Sequence, residues 1–152
     1  MPRNLITNVH NSVYFQDTTG KVVEWVFNPT APFAGWGPGI FITASNPPAT
    51  PCALAAVRTV GFPGTQVFFR VYYQGNNNNI AEMSWDGVSW FLTSIVGTAA
   101  NPNAQLAVAA WQGKTLAQTR IYFQDGKNGT AVAEYKRTDA EWVFQSSVPP
   151  LT

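Results

Sequence analysis

One phrase occurs three times in this chain of 152 residues: Ser12-Val13-Tyr14-Phe15-Gln16, Arg70-Val71-Tyr72-Tyr73-Gln74 and Arg120-Ile121-Tyr122-Phe123-Gln124. A glutamate follows each glutamine after 8, 8 and 10 residues, at Glu24, Glu82 and Glu134. A tryptophan follows each glutamate after 12, 8 and 8 residues, at Trp36, Trp90 and Trp142. The glutamines stand 58 and then 50 residues apart, a period near the size of a small four-stranded sheet. That points to propeller blades rather than helical solenoid units.

Local chemistry supports strands throughout. Val67-Phe68-Phe69-Arg70-Val71-Tyr72-Tyr73-Gln74 is rich in β-branched and aromatic residues and runs into Gly75-Asn76-Asn77-Asn78-Asn79, whose composition predicts a turn. Asp17-Thr18-Thr19-Gly20 and Asp125-Gly126-Lys127-Asn128-Gly129 fill the same place in the other copies. Each turn precedes a strand carrying the glutamate, and a further turn, Asp86-Gly87 or Asp139-Ala140, precedes an outer strand beginning at the tryptophan. Small-residue strands, Ala53-Leu54-Ala55-Ala56-Val57 and Leu106-Ala107-Val108-Ala109-Ala110-Trp111, come before the second and third phrases and suit the crowded axis of a propeller. Before the first phrase only Leu5-Ile6-Thr7 is available, so the first inner strand is expected to be missing or short and irregular. The Pro-rich segments 46–51 and 101–103 read as links between blades.

The expected fold is therefore all-β: one unit of three four-stranded blades, about residues 1–50, 51–103 and 104–152. Three blades do not close a ring, and the two end faces would stay bare. A two-fold homodimer giving six blades is the expected closure.

Composition narrows the partners. With 45% apolar residues, 11% charged residues, a net charge of +1 and no run of like charges, the chain offers no track for nucleic acid and no patch for an anionic membrane. No apolar stretch is long enough for a membrane helix. Residues 1–5 lack an apolar core with a cleavage site, so no secretory signal is read. The expectation is a soluble protein, cytoplasmic or exported by a non-classical route, and Asn128-Gly129-Thr130 matters as a glycosylation acceptor only after export. The single Cys52 has no clustered ligands around it and reads as a small buried hydrophobe. No metal or cofactor is expected.

Arginine, glutamate and tryptophan recurring together suit a sugar. A deoxy sugar offers hydroxyls and an apolar C–H face; arginine supplies a rigid fork of donors, a carboxylate accepts from neighbouring hydroxyls, and an indole covers the apolar face. Strand alternation puts Arg70 and Tyr72 on one face and Val71 and Tyr73 on the other.

These motifs, and Ile80-Ala81-Glu82-Met83-Ser84-Trp85-Asp86-Gly87-Val88-Ser89-Trp90 above all, resemble the fucose-binding six-bladed propeller lectins of the Aleuria aurantia lectin type over essentially the whole chain. The resemblance implies pockets in which one blade gives the arginine and glutamate and the next gives aromatic walls three and eight residues after its own glutamate. Carried over, one pocket joins Arg70 and Glu82 to Trp142, with Arg137 where the first wall residue belongs. A second joins Arg120 and Glu134 to Phe27 and Trp36 of a partner subunit, Trp36 being displaced by a four-residue insertion. The third sets Glu24 against the complete wall Trp85 and Trp90 but has Ser12 in place of the arginine, so it is expected to be weak, empty or altered in specificity. Trp25 and Trp111 miss the wall positions and are assigned to core or edge packing.

No enzyme is indicated. The glutamates recur one per blade, too far apart for a glycosidase pair, and His10, the only histidine, has no nucleophile context and reads as a surface or turn residue. Two functions remain: a multivalent lectin for fucosylated glycans, or one with changed sugar specificity, and a structural or protein-interaction propeller derived from such a lectin.

Overall fold

A computed structural model describes residues 6–9, 12–28, 35–39, 47–60, 67–112, 117–127, 131–138 and 141–148. His10, the acceptor Asn128-Gly129-Thr130 and the predicted turn Asp139-Ala140 lie outside them.

Among the described residues twelve strands form three antiparallel sheets, each a simple meander. The first sheet holds β1 (Ile6–Val9), β2 (Ser12–Gln16), β3 (Val22–Asn28) and β4 (Gly35–Pro38). The second holds β5 (Leu54–Val60), β6 (Val67–Gln74), β7 (Asn79–Trp85) and β8 (Trp90–Thr98). The third holds β9 (Leu106–Gln112), β10 (Ala117–Gln124), β11 (Val132–Arg137) and β12 (Trp142–Val148). Strand β5 touches both β1 and β9, so the first strands of the sheets are the ones that gather side by side, as blades do around an axis. The first inner strand is present and short: β1 pairs with β2 over four positions, against seven in each of the other two blades.

The turns follow from their side chains. Asp17 Oδ1 accepts the backbone N–H groups of Thr19 and Lys21 at 2.8 and 3.0 Å, and Gly20 closes that turn at φ +84°. Asp86 Oδ1 does the same for Val88 and Ser89 at 2.8 and 2.9 Å, with Gly87 at φ +103°.

Both faces of the middle blade are buried, which the alternation of β6 anticipates. Val71 and Tyr73 pack with Tyr14, Val22, Cys52 and Met83 at the seam with the first blade. Tyr72 and Ile80 pack with Ile121, Phe123, Ala133 and Tyr135 at the seam with the third. Gly97 allows this second approach, because a Cβ there would stand 3.0 Å from the Phe123 ring and 3.3 Å from Tyr135. Cys52 is buried as expected, and burial pushes its thiol up to about 12, so it stays protonated at neutral pH.

The glutamine of the repeated phrase ties one blade to the next. Gln16 donates to the Ala49 carbonyl at 2.6 Å and accepts from the Cys52 N–H at 3.0 Å. Gln74 donates to the Asn101 carbonyl at 2.7 Å and accepts from the Ala104 N–H at 3.2 Å. The connectors rich in proline have few backbone donors of their own, and a buried amide bonded to both sides of the link fixes their course.

Of the two expected placements, core or edge, Trp25 and Trp111 are not in the core. Trp25, 43% exposed, lies on the outward face of the first blade against Phe15, and Trp111, 46% exposed, lies on the outward face of the third. The reason is their strand parity, which turns both away from the two internal seams.

Candidate functional site

The repeat carries a four-part geometry at each seam. A tyrosine faces a glutamate at the same register in every blade: Tyr14 opposite Glu24, Tyr72 opposite Glu82 and Tyr122 opposite Glu134. The tryptophan that opens the next outer strand then meets the tyrosine edge-on, Trp90 at 5.9 Å from Tyr14 and Trp142 at 5.8 Å from Tyr72. The two wall positions are cross-strand partners in each blade: Phe27 with Trp36, Trp85 with Trp90, and Arg137 with Trp142. The four-residue insertion before Trp36 is therefore absorbed between β3 and β4, and Trp36 keeps its partner, the two rings lying 5.5 Å apart.

At the seam between the second and third blades, Arg70, Glu82 and Trp142 come together as expected. Glu82 is completely buried. Its Oε1 accepts from Arg70 and, at 3.4 Å, from the Tyr72 hydroxyl. Its Oε2 accepts from the Trp142 indole N–H at 3.0 Å, the Ser94 hydroxyl at 2.7 Å and the guanidinium of Arg137. Arg70 also donates to Ser84 Oγ at 3.3 Å.

At the seam between the first and second blades, Glu24 has no arginine partner among the described ion pairs; Tyr14 donates to its Oε1 at 2.8 Å. Trp85 and Trp90 stand 5.8 Å apart as the opposing wall, and the buried Trp90 indole N–H has no hydrogen-bond partner. Gly39 packs so closely that a Cβ there would come within 2.8 Å of the Glu24 side chain. Ser12 is buried in the arginine's place.

The third group lies on the outward face of the third blade. Arg120 pairs with Glu134, their side chains 32% and 14% exposed, and the guanidinium sits 5.6 Å from the Trp111 ring centroid. On the first blade's outward face Phe27 and Trp36 present the matching pair of rings, Trp36 being 47% exposed. Nearby, Phe15, Val23, Trp25 and Pro38 line an open cleft of about 230 Å³.

Reading the chain as a string missed three contributors. The tyrosine recurs two residues before each glutamine, but an aromatic on a strand is equally suited to packing. Ser94 and Ser146 both stand 12 residues after their glutamates and face them across the sheet, a second periodic signal. Trp111 flanks Arg120 only because β9 and β10 pair in the register that they do.

Burial holds the Tyr14 phenol well above its ordinary range, with the Glu24 charge and hydrogen bond adding to the shift. Tyr72 is raised in the same way, by burial first and then by Glu82, and Tyr73 chiefly by burial. Tyr14 and Tyr72 thus stay protonated and donate to Glu24 and Glu82. A raised acid favours the fold fully below its unfolded value near pH 10, and that contribution is lost as pH climbs from there through the folded values. Urea denaturation across pH 7 to 11 is expected to give a stability that falls steeply only above about pH 10, less steeply in Tyr72→Phe.

Among the described residues no helix is long and apolar enough to cross a membrane and no cluster of side chains could hold a metal ion. Fold and seams together define consecutive blades of the β-propeller kind, with charged side chains and an indole meeting at a blade boundary. The chain belongs to the fungal fucose-specific lectin family, which it matches over residues 6–151. It is 30% identical over 130 residues to a fucose-specific lectin of Arthroderma benhamiae, covering 86% of this chain and 34% of that protein. A mutant of the Aleuria aurantia lectin in complex with Fucα1-6GlcNAc superposes with a TM-score of 0.72 at 28% identity, over 90% of this chain and 44% of that one. Another structure of the Aleuria aurantia lectin is described as a six-bladed β-propeller; it shares the fold at a TM-score of 0.66 and 24% identity, over 94% of this chain and 47% of that one. A fucose lectin from Kordia zhangzhouensis shares the fold at a TM-score of 0.69 and 18% identity, over 93% of this chain and 98% of that one. The present chain thus spans between about a third and a half of the curated relatives it matches.

Proposed function

We propose that this protein is a non-catalytic lectin for L-fucose-containing glycans, acting in the aqueous phase, with its sugar pockets at the seams between blades. Two copies, each one unit of three blade repeats, close a six-bladed ring. The observation that carries this reading is the complementarity of the two outward faces: Arg120 and Glu134 on one, the ring pair Phe27 and Trp36 on the other. A fucoside set between them would give hydroxyls to Glu134, take donors from Arg120 and lay its C–H face on an indole. The Aleuria aurantia lectin, whose structure with a fucosylated disaccharide shares this fold, supports fucose as the sugar. The Kordia zhangzhouensis lectin shares the fold over nearly its whole chain, so this fold occurs in a chain of about this length. The carboxylates Glu24, Glu82 and Glu134 belong to three separate blades, which favours binding over hydrolysis.

Calorimetric titration with α-methyl L-fucoside tests it, alongside sedimentation to fix the mass. The expected result is a dimer taking about one fucoside per chain, since Glu82 is already saturated and Glu24 lacks its arginine. No heat at millimolar sugar would sink the fucose assignment, and a monomer that binds fucoside would sink the shared pocket.

A further inference from the structure

Arg137 stands on both surfaces that a fucoside would use at the Glu82 seam. In the other blades its position holds Phe27 or Trp85, a ring beside a ring. Here a guanidinium lies 5.9 Å from the Trp142 centroid and donates to Glu82 Oε2. Five donors, from Arg70, Tyr72, Arg137, Trp142 and Ser94, converge on a carboxylate with about four lone-pair sites. Glu82 has nothing left with which to receive sugar hydroxyls. The charges are also unequal: Arg70 and Arg137, whose side chains are 15% and 18% exposed, share one carboxylate. At the Glu134 seam the described pairing is one cation to one anion.

Resting on the lectin reading of the seams, we infer that Arg137 turns this pocket from a fucose site into one for an acidic saccharide, a sugar bearing a carboxylate or sulfate group. The exchange is balanced. An incoming anion accepts from the Arg137 fork, so Arg137 can leave Glu82 without becoming an unpaired charge, and the Trp142 face opens to the sugar ring. A neutral fucoside offers no replacement, and displacing Arg137 would leave a guanidinium stranded in a mostly buried seam.

The test is calorimetry with methyl β-D-glucuronide, α-methyl L-fucoside and sodium sulfate, each alone at constant ionic strength, then glucuronide in the presence of fucoside, of sulfate or of added sodium chloride, on the wild type, Arg137→Phe and Arg137→Lys. The wild type should take one glucuronide per chain, undisturbed by fucoside and weakened by added salt. Arg137→Phe should bind glucuronide at least tenfold more weakly; Arg137→Lys, which keeps the charge and the seam, should retain weaker glucuronide binding. Glucuronide binding absent from the wild type, or unchanged in Arg137→Phe, overturns the inference. So does sulfate competing as well as the glucuronide, because the saccharide would then contribute nothing. Should fucoside bind no variant while glucuronide behaves as stated, the fucose assignment fails and the acidic pocket stands.

Discussion

Glu82→Ala is expected to cost about 3–5 kcal/mol of folding free energy, the range for removing one partner of a buried charged group. The carboxylate is wholly buried and joins two blades: Arg70, Tyr72 and Ser94 come from its own sheet, Arg137 and Trp142 from the next. Its loss leaves two guanidiniums close together with no anion between them. For a chain of this size the fall in melting temperature is about 6–20 °C. Chemical denaturation measures it, and the double variant Glu82→Ala with Arg137→Ala should regain part of the loss by removing one stranded charge. A cost under about 1 kcal/mol would show that the seam is wetter and looser than its geometry, in the range of an exposed ion pair.

The position that looked most like a ligand acceptor thus also acts as a fastener, and the reason is a residue 55 positions away in sequence. In the sequence Arg137 shows only as a departure from the wall pattern and its destination does not, because a contact between blades depends on how two sheets stack. What was legible was local. Period-two alternation told the faces of β6 apart, and turn chemistry at Asp17-Thr18-Thr19-Gly20 and Asp86-Gly87 located the hairpins. The recurring Glu and Trp positions fell in matching register despite the insertion before Trp36.

The repeated phrase itself proved to mix two purposes. Its glutamine holds the connector to the following blade, as Gln16 and Gln74 show, and its tyrosine holds the glutamate's carboxylate. Either alone would be repeated for the fold's sake. Repetition therefore marks what every blade needs, while the positions that vary, Ser12 against Arg70 and Arg120, or Arg137 against Phe27 and Trp85, mark where the seams differ in what they can bind.

Arg120→Ala separates recognition from architecture. Its ion pair with Glu134 is partly exposed, so losing it should change stability by no more than about 1 kcal/mol. Each hydrogen bond that a charged donor makes contributes about 1.5–3 kcal/mol, so loss of the fork should weaken fucoside binding about 100-fold or more. The melting curve should barely move while the titration goes flat. Binding by the wild type should also weaken on dilution below the dimer's dissociation constant, since Phe27 and Trp36 would then come from nowhere. The opposite pattern, unchanged sugar affinity with a loss of several kcal/mol, would make Arg120 a fastener like Glu82 and move the reading toward a propeller whose charged seams serve only its own assembly.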